Sequence, residues 1–184
     1  MTTRRRFLAT TGSTVAATAI GSAERTNHAK KEPLFSFGLM ADCQYADADP
    51  SGTRFYRESS RKLDEAIREL NRHELEFTFH LGDFIDRDFE SFATLKPIAA
   101  KLKSQLYHVL GNHDFDVEEN LRSMVPAELG LTTTYYAIRH AGFRFLLLDT
   151  TEVSTYRYPA KDTRSSDARE ELNTLKKAGK SYAQ

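Results

Sequence analysis

Short apolar runs alternate along the chain with longer segments in which apolar residues recur every three or four positions. The runs at 34–40, 75–81 and 105–110 have the length and the aromatic and aliphatic content of buried strands. Helical spacing predicts helices at 54–72, 88–103, 116–124 and 168–178. Two β-rich runs, 133–139 and 143–148, flank His140-Ala141-Gly142 and predict an antiparallel hairpin.

The order of these elements predicts an α/β fold. Strands that alternate with helices form a parallel sheet covered by helices, because each crossover needs about the length of a helix. We therefore expect a parallel β-α-β-α-β unit followed by the hairpin. Pro97 lies inside the second helical segment, and a break is expected there because proline has no backbone N–H.

Each of the three predicted parallel strands ends in polar side chains. These are Asp42 and Gln44 after the first strand, Asp83 and Asp86 after the second, and Asn112, His113 and Asp114 after the third. The carboxyl ends of parallel strands meet at one edge of a sheet, where α/β proteins bind ligands. Carboxylate and amide oxygens suit Mg²⁺ or Mn²⁺, and imidazole widens the choice to Zn²⁺ or Fe. Two divalent ions carry more positive charge than two carboxylates neutralise. The remaining positive charge can bind hydroxide and an anionic phosphate ester.

The motifs Asp-x-Gln, Gly-Asp-x-x-Asp and Gly-Asn-His-Asp occur in this order between residues 34 and 149. They resemble the first three motifs of calcineurin-like metallophosphoesterases. The resemblance implies the α/β/β/α sandwich of that family, of which this chain would supply the N-terminal portion. It also implies a hydrolase that cleaves phosphate ester or phosphoanhydride bonds with metal-bound hydroxide.

The first motif narrows the resemblance to one branch of the family. Most members have Asp-x-His there, whereas this chain has Gln44. Glutamine at this position, with Tyr56-Arg57 and the helix that follows, is similar to the manganese-dependent ADP-ribose/CDP-alcohol diphosphatases. That branch implies nucleoside-diphosphate-linked substrates and two divalent metal ions, with Mn²⁺ favoured over Fe, Zn²⁺ or Mg²⁺.

The resemblance also implies a role for each polar residue at the strand exits. The implied metal ligands are Asp42 and Gln44 for the first ion, Asp83 as the bridge, and Asn112 for the second ion. The implied catalytic residues are His113, beside the leaving-group oxygen, and Asp114, which would fix the imidazole ring, with Asp86 behind the ligands. Tyr45 is a candidate for stacking on a nucleobase, or else forms the pocket wall.

The ligand set of the resembled family is incomplete in this chain. That family completes its site with a later strand-borne histidine and a Gly-His-x-His motif, and neither occurs here. After His113 the only histidine is His140. The alternative function is therefore a truncated, non-catalytic fragment that binds metal or phosphate.

The N-terminal segment has the character of an export signal. Arg4-Arg5-Arg6-Phe7-Leu8 precedes a mild apolar run and the small residues Gly21-Ser22-Ala23, which is typical of a twin-arginine signal peptide. We predict a signal peptide at 1–23, a linker at 24–33, and a phosphoesterase domain at 34–184 that lacks its C-terminal part. We therefore expect export by the twin-arginine machinery to the periplasm or the extracellular space. The alternative is that this N-terminal segment is only a basic, disordered start of the chain.

Composition restricts the class of partner. The 184 residues are 40% hydrophobic and 28% charged, which is ordinary for one globular domain. The formal net charge is zero, so neither nucleic acid nor a membrane surface is indicated as a partner, and a nuclease is disfavoured. The N-terminal apolar run is shorter than the ~20 residues of a membrane span. The expected partner is a phosphorylated small molecule.

Overall fold

The computed structural model of the protein describes residues 33–180, so the predicted signal peptide and nearly all of the predicted linker lie outside the described residues. The strands are β1 (Gly38–Met40), β2 (Phe77–His80), β3 (Gln105–His108), β4 (Tyr136–His140) and β5 (Phe143–Leu147). The α-helices are α1 (Glu58–Leu70), α2 (Ser91–Ala99), α3 (Val125–Glu128) and α4 (Thr163–Lys177). Within 33–180, no helix has the length and apolar character needed to span a bilayer.

The first three strands form one parallel sheet in the order β1-β2-β3. Their last residues are in register, with Met40 opposite His80 and His80 opposite His108. The strands β4 and β5 pair antiparallel as a separate hairpin. The predicted α/β class is therefore confirmed, with its parallel β-α-β-α-β unit and the hairpin that follows.

The central strand β2 is buried along its whole length, because both faces of the sheet are covered. Its residues Phe77 and Phe79 pack with Leu147 of the hairpin in an aromatic layer. On the other face, Ile67 of α1 and Leu95 of α2 belong to a second apolar cluster. Burial of each such large side chain contributes about 1.5–3 kcal/mol. These two apolar clusters hold the sheet in place from both faces. They therefore also determine the position of the edge where the strands end.

The predicted break at Pro97 is wrong, because α2 runs without interruption from Ser91 to Ala99. A proline inside a helix leaves the carbonyl four residues earlier without its helical partner. Both Pro97 and Ala93 lie on the exposed side of α2. Water can therefore satisfy the carbonyl of Ala93, and the helix continues.

The helix predicted at 116–124 is also wrong. The segment is irregular up to a 3₁₀ turn at Arg122–Met124, which leads into the single turn of α3. The side chains of Phe115 and Val117 are both buried while Asp116 between them is exposed. This alternation belongs to extended chain and not to a helix. The last helix begins at Thr163, earlier than predicted, because Asp162 caps it by accepting the N–H of Arg164.

Candidate metal centre at the strand exits

The exits of β1 and β2 stay hydrogen-bonded beyond the ends of the strands. The backbone N–H of Gln44 donates to the carbonyl of Asp83 at 2.9 Å, and that of Asp42 donates to Gly82 at 3.2 Å. This backbone pairing places the first two proposed ligands beside the third. It follows from the parallel register of the sheet, which the alternation of elements predicts.

Three of the proposed ligands have left-handed backbone conformations. The φ angles are 57° at Asp42, 46° at Gln44 and 60° at Asp83. A side-chain-bearing residue held in a sparsely populated conformation costs about 1–3 kcal/mol, and such residues cluster at active sites and ligand clamps. The coincidence of this strain with the proposed ligands supports a functional role for this edge.

Asp83 lies at the centre of the candidate site. Its Oδ2 accepts a hydrogen bond from Nε2 of Gln44 at 3.2 Å, and its Oδ1 accepts from the backbone N–H of His113 at 2.9 Å. The carboxylate of Asp83 lies so close to the backbone of residue 111 that this residue must be glycine. A Cβ there would lie 2.2 Å from Oδ1 of Asp83. One carboxylate therefore contacts the exits of both β1 and β3, and its role as the bridging ligand stays a prediction.

The structure corrects the predicted role of Asp114. Its fully buried carboxylate accepts hydrogen bonds from four backbone N–H groups, those of Asp83, Phe84, Ile85 and Gly111. Burial raises the pKa of Asp114 to about 6, against the opposing effect of these donors. Asp114 therefore joins the exits of β2 and β3 and does not fix the ring of His113. The 3₁₀ turn at His113–Phe115 turns its side chain inward.

Asp86 has the position beside the imidazole that the sequence assigned to Asp114. Its Oδ1 lies 3.2 Å from Nδ1 of His113, an ion-pair distance, and its Oδ2 accepts a hydrogen bond from Arg54 at 3.3 Å. Burial raises the pKa of Asp86, and the neighbouring His113 opposes that shift. The guanidinium of Arg54 also lies 3.4 Å from Nε2 of His113. Since arginine only donates, this arrangement assigns the proton of a neutral His113 to Nδ1.

A second carboxylate, that of Asp116, lies close to the same imidazole. One ligand atom from each of Asp86, His113 and Asp116 lies within 4.8 Å of the others, so this group has the spacing of a metal site. Sequence reasoning missed Asp116 because it was assigned to a helix. The cation of Arg54 already balances part of this negative charge.

The other predicted site residues are peripheral to these contacts. Asn112 is exposed at the start of the 3₁₀ turn that carries His113, and its carbonyl accepts the N–H of Phe115 at 3.2 Å. Tyr45 is half-buried and packs against the helix-side core, and its backbone pairs with Ile85. Tyr45 is not among the residues that line the cleft beside the site.

A cleft of about 340 Å³ lies beside the exit of β1, between that loop and α1. Asp42 and Gln44 line it, and so do the cationic residues Arg54 and Lys62. Neither cation was selected from the sequence, where an arginine and a lysine near the start of an amphipathic helix do not differ from other surface charges.

The donor set fits a hard divalent cation. The exits of β1 and β2 supply two carboxylates and one amide, and β3 supplies a further amide with an imidazole beside it. Hard cations prefer such oxygen donors. The thiol of Cys43 does not compete, because burial raises its pKa to about 12 and so keeps it protonated at neutral pH.

The parallel sheet and the oxygen donors at its edge define the class, an α/β metallophosphoesterase domain. The sequence profile of the calcineurin-like phosphoesterase family matches residues 35–172, and the chain belongs to that family. This confirms the resemblance on which the residue roles were based.

Individual proteins with similar sequences or structures add detail to the family match. The chain is 32% identical over 148 residues to a manganese-dependent ADP-ribose/CDP-alcohol diphosphatase of Arabidopsis thaliana, a match that covers 71% of this chain and 47% of the relative. It is 38% identical over 100 residues to the Xenopus laevis protein of the same name, covering 46% and 28% of the two chains. A dimetal phosphatase from Danio rerio has a similar structure, with a TM-score of 0.64 and 27% identity over 78% of this chain and 52% of that one. The chain thus spans about half the length, or less, of the curated relatives that it matches.

Proposed function

We propose that this protein hydrolyses phosphoanhydride bonds of nucleoside-diphosphate-linked small molecules with the aid of two divalent metal ions, Mn²⁺ first among them. The observation that carries the proposal is the position of Asp83, whose carboxylate contacts Gln44 from the exit of β1 and His113 from the exit of β3. The names of the relatives, manganese-dependent ADP-ribose/CDP-alcohol diphosphatases, support the choice of metal and substrate.

Four side chains would hold the metal ions, and they are Asp42, Gln44, Asp83 and Asn112. Bound divalent ions would polarise the phosphoryl group and provide a nucleophile at neutral pH. Water or other ligands would occupy the remaining coordination positions, because four side chains fill only part of the coordination spheres of two ions.

In its doubly protonated form, His113 would donate the proton on Nε2 to the leaving oxygen. The carboxylate of Asp86, 3.2 Å from Nδ1, would stabilise the protonated ring and orient it. Arg54 now lies 3.4 Å from Nε2 and would have to give way to the leaving group or to bind it. Asp114 would affect the reaction indirectly, because it holds the backbone of the loops that follow β2 and β3.

The test uses the full-length protein, stripped of metal and then supplied with Mn²⁺. The proposal predicts hydrolysis of ADP-ribose to AMP and ribose 5-phosphate that depends on Mn²⁺, with no cleavage of DNA. An Asp86→Asn variant should retain metal but lose most of its kcat, because the partner of His113 loses its charge. Full-length protein that binds Mn²⁺ and hydrolyses no phosphate compound would instead support the non-catalytic metal-binding alternative.

We also propose that the protein is exported through the twin-arginine pathway. The basic start, the mild apolar run and the small residues that end at Ala23 support this proposal. Residues 1–23 fused to a reporter should direct it out of the cytoplasm, and replacing Arg5 and Arg6 with lysine should retain it inside. Export that persists in the lysine variant would contradict the twin-arginine route.

A further inference from the structure

The cleft beside the exit of β1 adjoins the metal centre, and its chemistry differs from that of the centre. Its volume of about 340 Å³ is sufficient for a small organic group. Asp42 and Gln44 line it on the side of the metal centre, and Leu63 and Ala66 of α1 supply an apolar wall. A substrate whose reacting phosphoryl group lies at the strand exits can therefore extend into this cleft.

Two cationic side chains line the same cleft. The side chain of Arg54 is 46% exposed, and besides its bond to Asp86 it keeps donors available to a ligand. Lys62 is 58% exposed, and its closest acidic partner, Glu58, is 3.9 Å away, so its ammonium group is only loosely paired. A guanidinium and an ammonium group that line one cleft match the charge and the donors that a phosphoryl group requires.

A buried polar side chain without a partner also borders the cleft. His80 is 1% exposed, and neither of its ring nitrogens has a hydrogen-bond partner within residues 33–180. Buried polar groups are almost always satisfied, so an unsatisfied one in a cleft points to a ligand group. A neutral imidazole offers one donor and one acceptor, which is the complement of a hydroxyl group.

We propose that this cleft binds the second phosphoryl group of the substrate and the hydroxyl-bearing group attached to it. Arg54 and Lys62 hold the phosphoryl oxygens, and His80 exchanges a hydrogen bond with a hydroxyl group. The inference rests on the proposed function and deepens it, because it assigns a structural basis for preferring diphosphate-linked substrates over simple phosphate monoesters.

The first test compares two substrates in the full-length protein with Mn²⁺. Lys62→Gln should raise the KM for ADP-ribose about tenfold and leave the KM for p-nitrophenyl phosphate, which has one phosphoryl group, unchanged. Arg61→Gln, on the exposed side of the same helix, is the matched control and should change neither value. Equal changes for the two substrates, or no change in Lys62→Gln, would overturn the proposal.

A binding measurement separates failure of this inference from failure of the proposed function. If the wild-type protein shows no Mn²⁺-dependent hydrolysis, the proposed function fails, but the cleft can still be tested by calorimetry with ADP-ribose in the presence of EDTA. Arg54→Gln and Lys62→Gln should each weaken that binding about tenfold relative to Arg61→Gln. Equal affinities in all three variants would contradict the cleft assignment.

His80→Leu tests the role of His80 in the cleft. A leucine of similar volume removes two unsatisfied polar atoms, so the thermal unfolding midpoint should stay equal or rise. The KM for ADP-ribose should nevertheless rise about fivefold, because the ligand hydroxyl loses its partner. A merely structural His80 would change the midpoint and leave KM unchanged, and that result would remove His80 from the proposal.

Discussion

Replacement of Asp114 with asparagine removes one carboxylate oxygen from the connection between the exits of β2 and β3. In the wild-type chain, Oδ1 accepts the N–H groups of Phe84 and Ile85, and Oδ2 accepts those of Asp83 and Gly111. The amide of asparagine can keep one pair of these bonds. Its NH₂ group then faces the other two N–H donors, which are left without an acceptor in a buried site.

The expected cost follows from those two lost bonds. A buried donor left unsatisfied costs about 1–3 kcal/mol, so two of them in Asp114→Asn should lower the free energy of unfolding by about 2–6 kcal/mol. The pKa of Asp114 is about 6, so the carboxylate predominates at pH 7.5 and the comparison is made there. The same change should weaken Mn²⁺ binding, because Asp83 takes its position from the backbone that Asp114 holds.

Urea unfolding of the full-length protein at pH 7.5 measures the loss of stability, and calorimetry measures Mn²⁺ affinity. Asp167→Asn is the matched control: the same substitution at an exposed position of α4 should change stability by less than about 0.5 kcal/mol. If Asp114→Asn destabilises the protein no more than the control does, Asp114 is not the structural connection inferred here.

Three further predictions concern other parts of the structure. Gly111→Ala should reduce Mn²⁺ affinity at least tenfold by calorimetry, because the added Cβ would lie 2.2 Å from Oδ1 of Asp83, and a variant with wild-type affinity would contradict that contact. Burial lowers the pKa of His80 to about 3 and that of His108 to about 4, so at these two positions only the unfolded chain takes up protons as the pH falls below about 6.5. Each of these two histidines should therefore lower the free energy of unfolding by about 2 kcal/mol between pH 6.5 and 5, and His108→Leu should lose about 2 kcal/mol less than the wild-type protein over that range in urea titrations. Arg157→Gln should cost about 3–5 kcal/mol, because it leaves the buried Asp149 without its ion-pair partner, whereas Arg61→Gln should cost almost nothing in the same thermal or urea assay.

The strand exits were predictable because they depend on local sequence. An apolar run followed by Gly82-Asp83 or Gly111-Asn112 signals a buried strand that stops at a tight turn, and parallel pairing then follows from the alternation with helices. The register that brings Gln44 to Asp83 needs only that each strand ends at the same edge.

The contact of His113 was not predictable from spacing. Asp114 is its neighbour in sequence, but the 3₁₀ turn directs that carboxylate into the core, and Asp86, from a different loop, reaches the ring instead. The continuity of α2 through Pro97 likewise depends on which side of the helix faces solvent. Both features depend on tertiary contacts that no local pattern encodes.

We propose that the three strand exits hold two metal ions and that Asp83 would be a ligand of both. The most direct measurement is the number of Mn²⁺ ions bound per chain of the full-length protein, counted by metal analysis and by electron paramagnetic resonance. We predict two spin-coupled Mn²⁺ ions per chain, and loss of the coupled signal in Asp83→Ala. No bound Mn²⁺ in the wild-type protein, or an unchanged coupled pair in Asp83→Ala, would contradict this assignment.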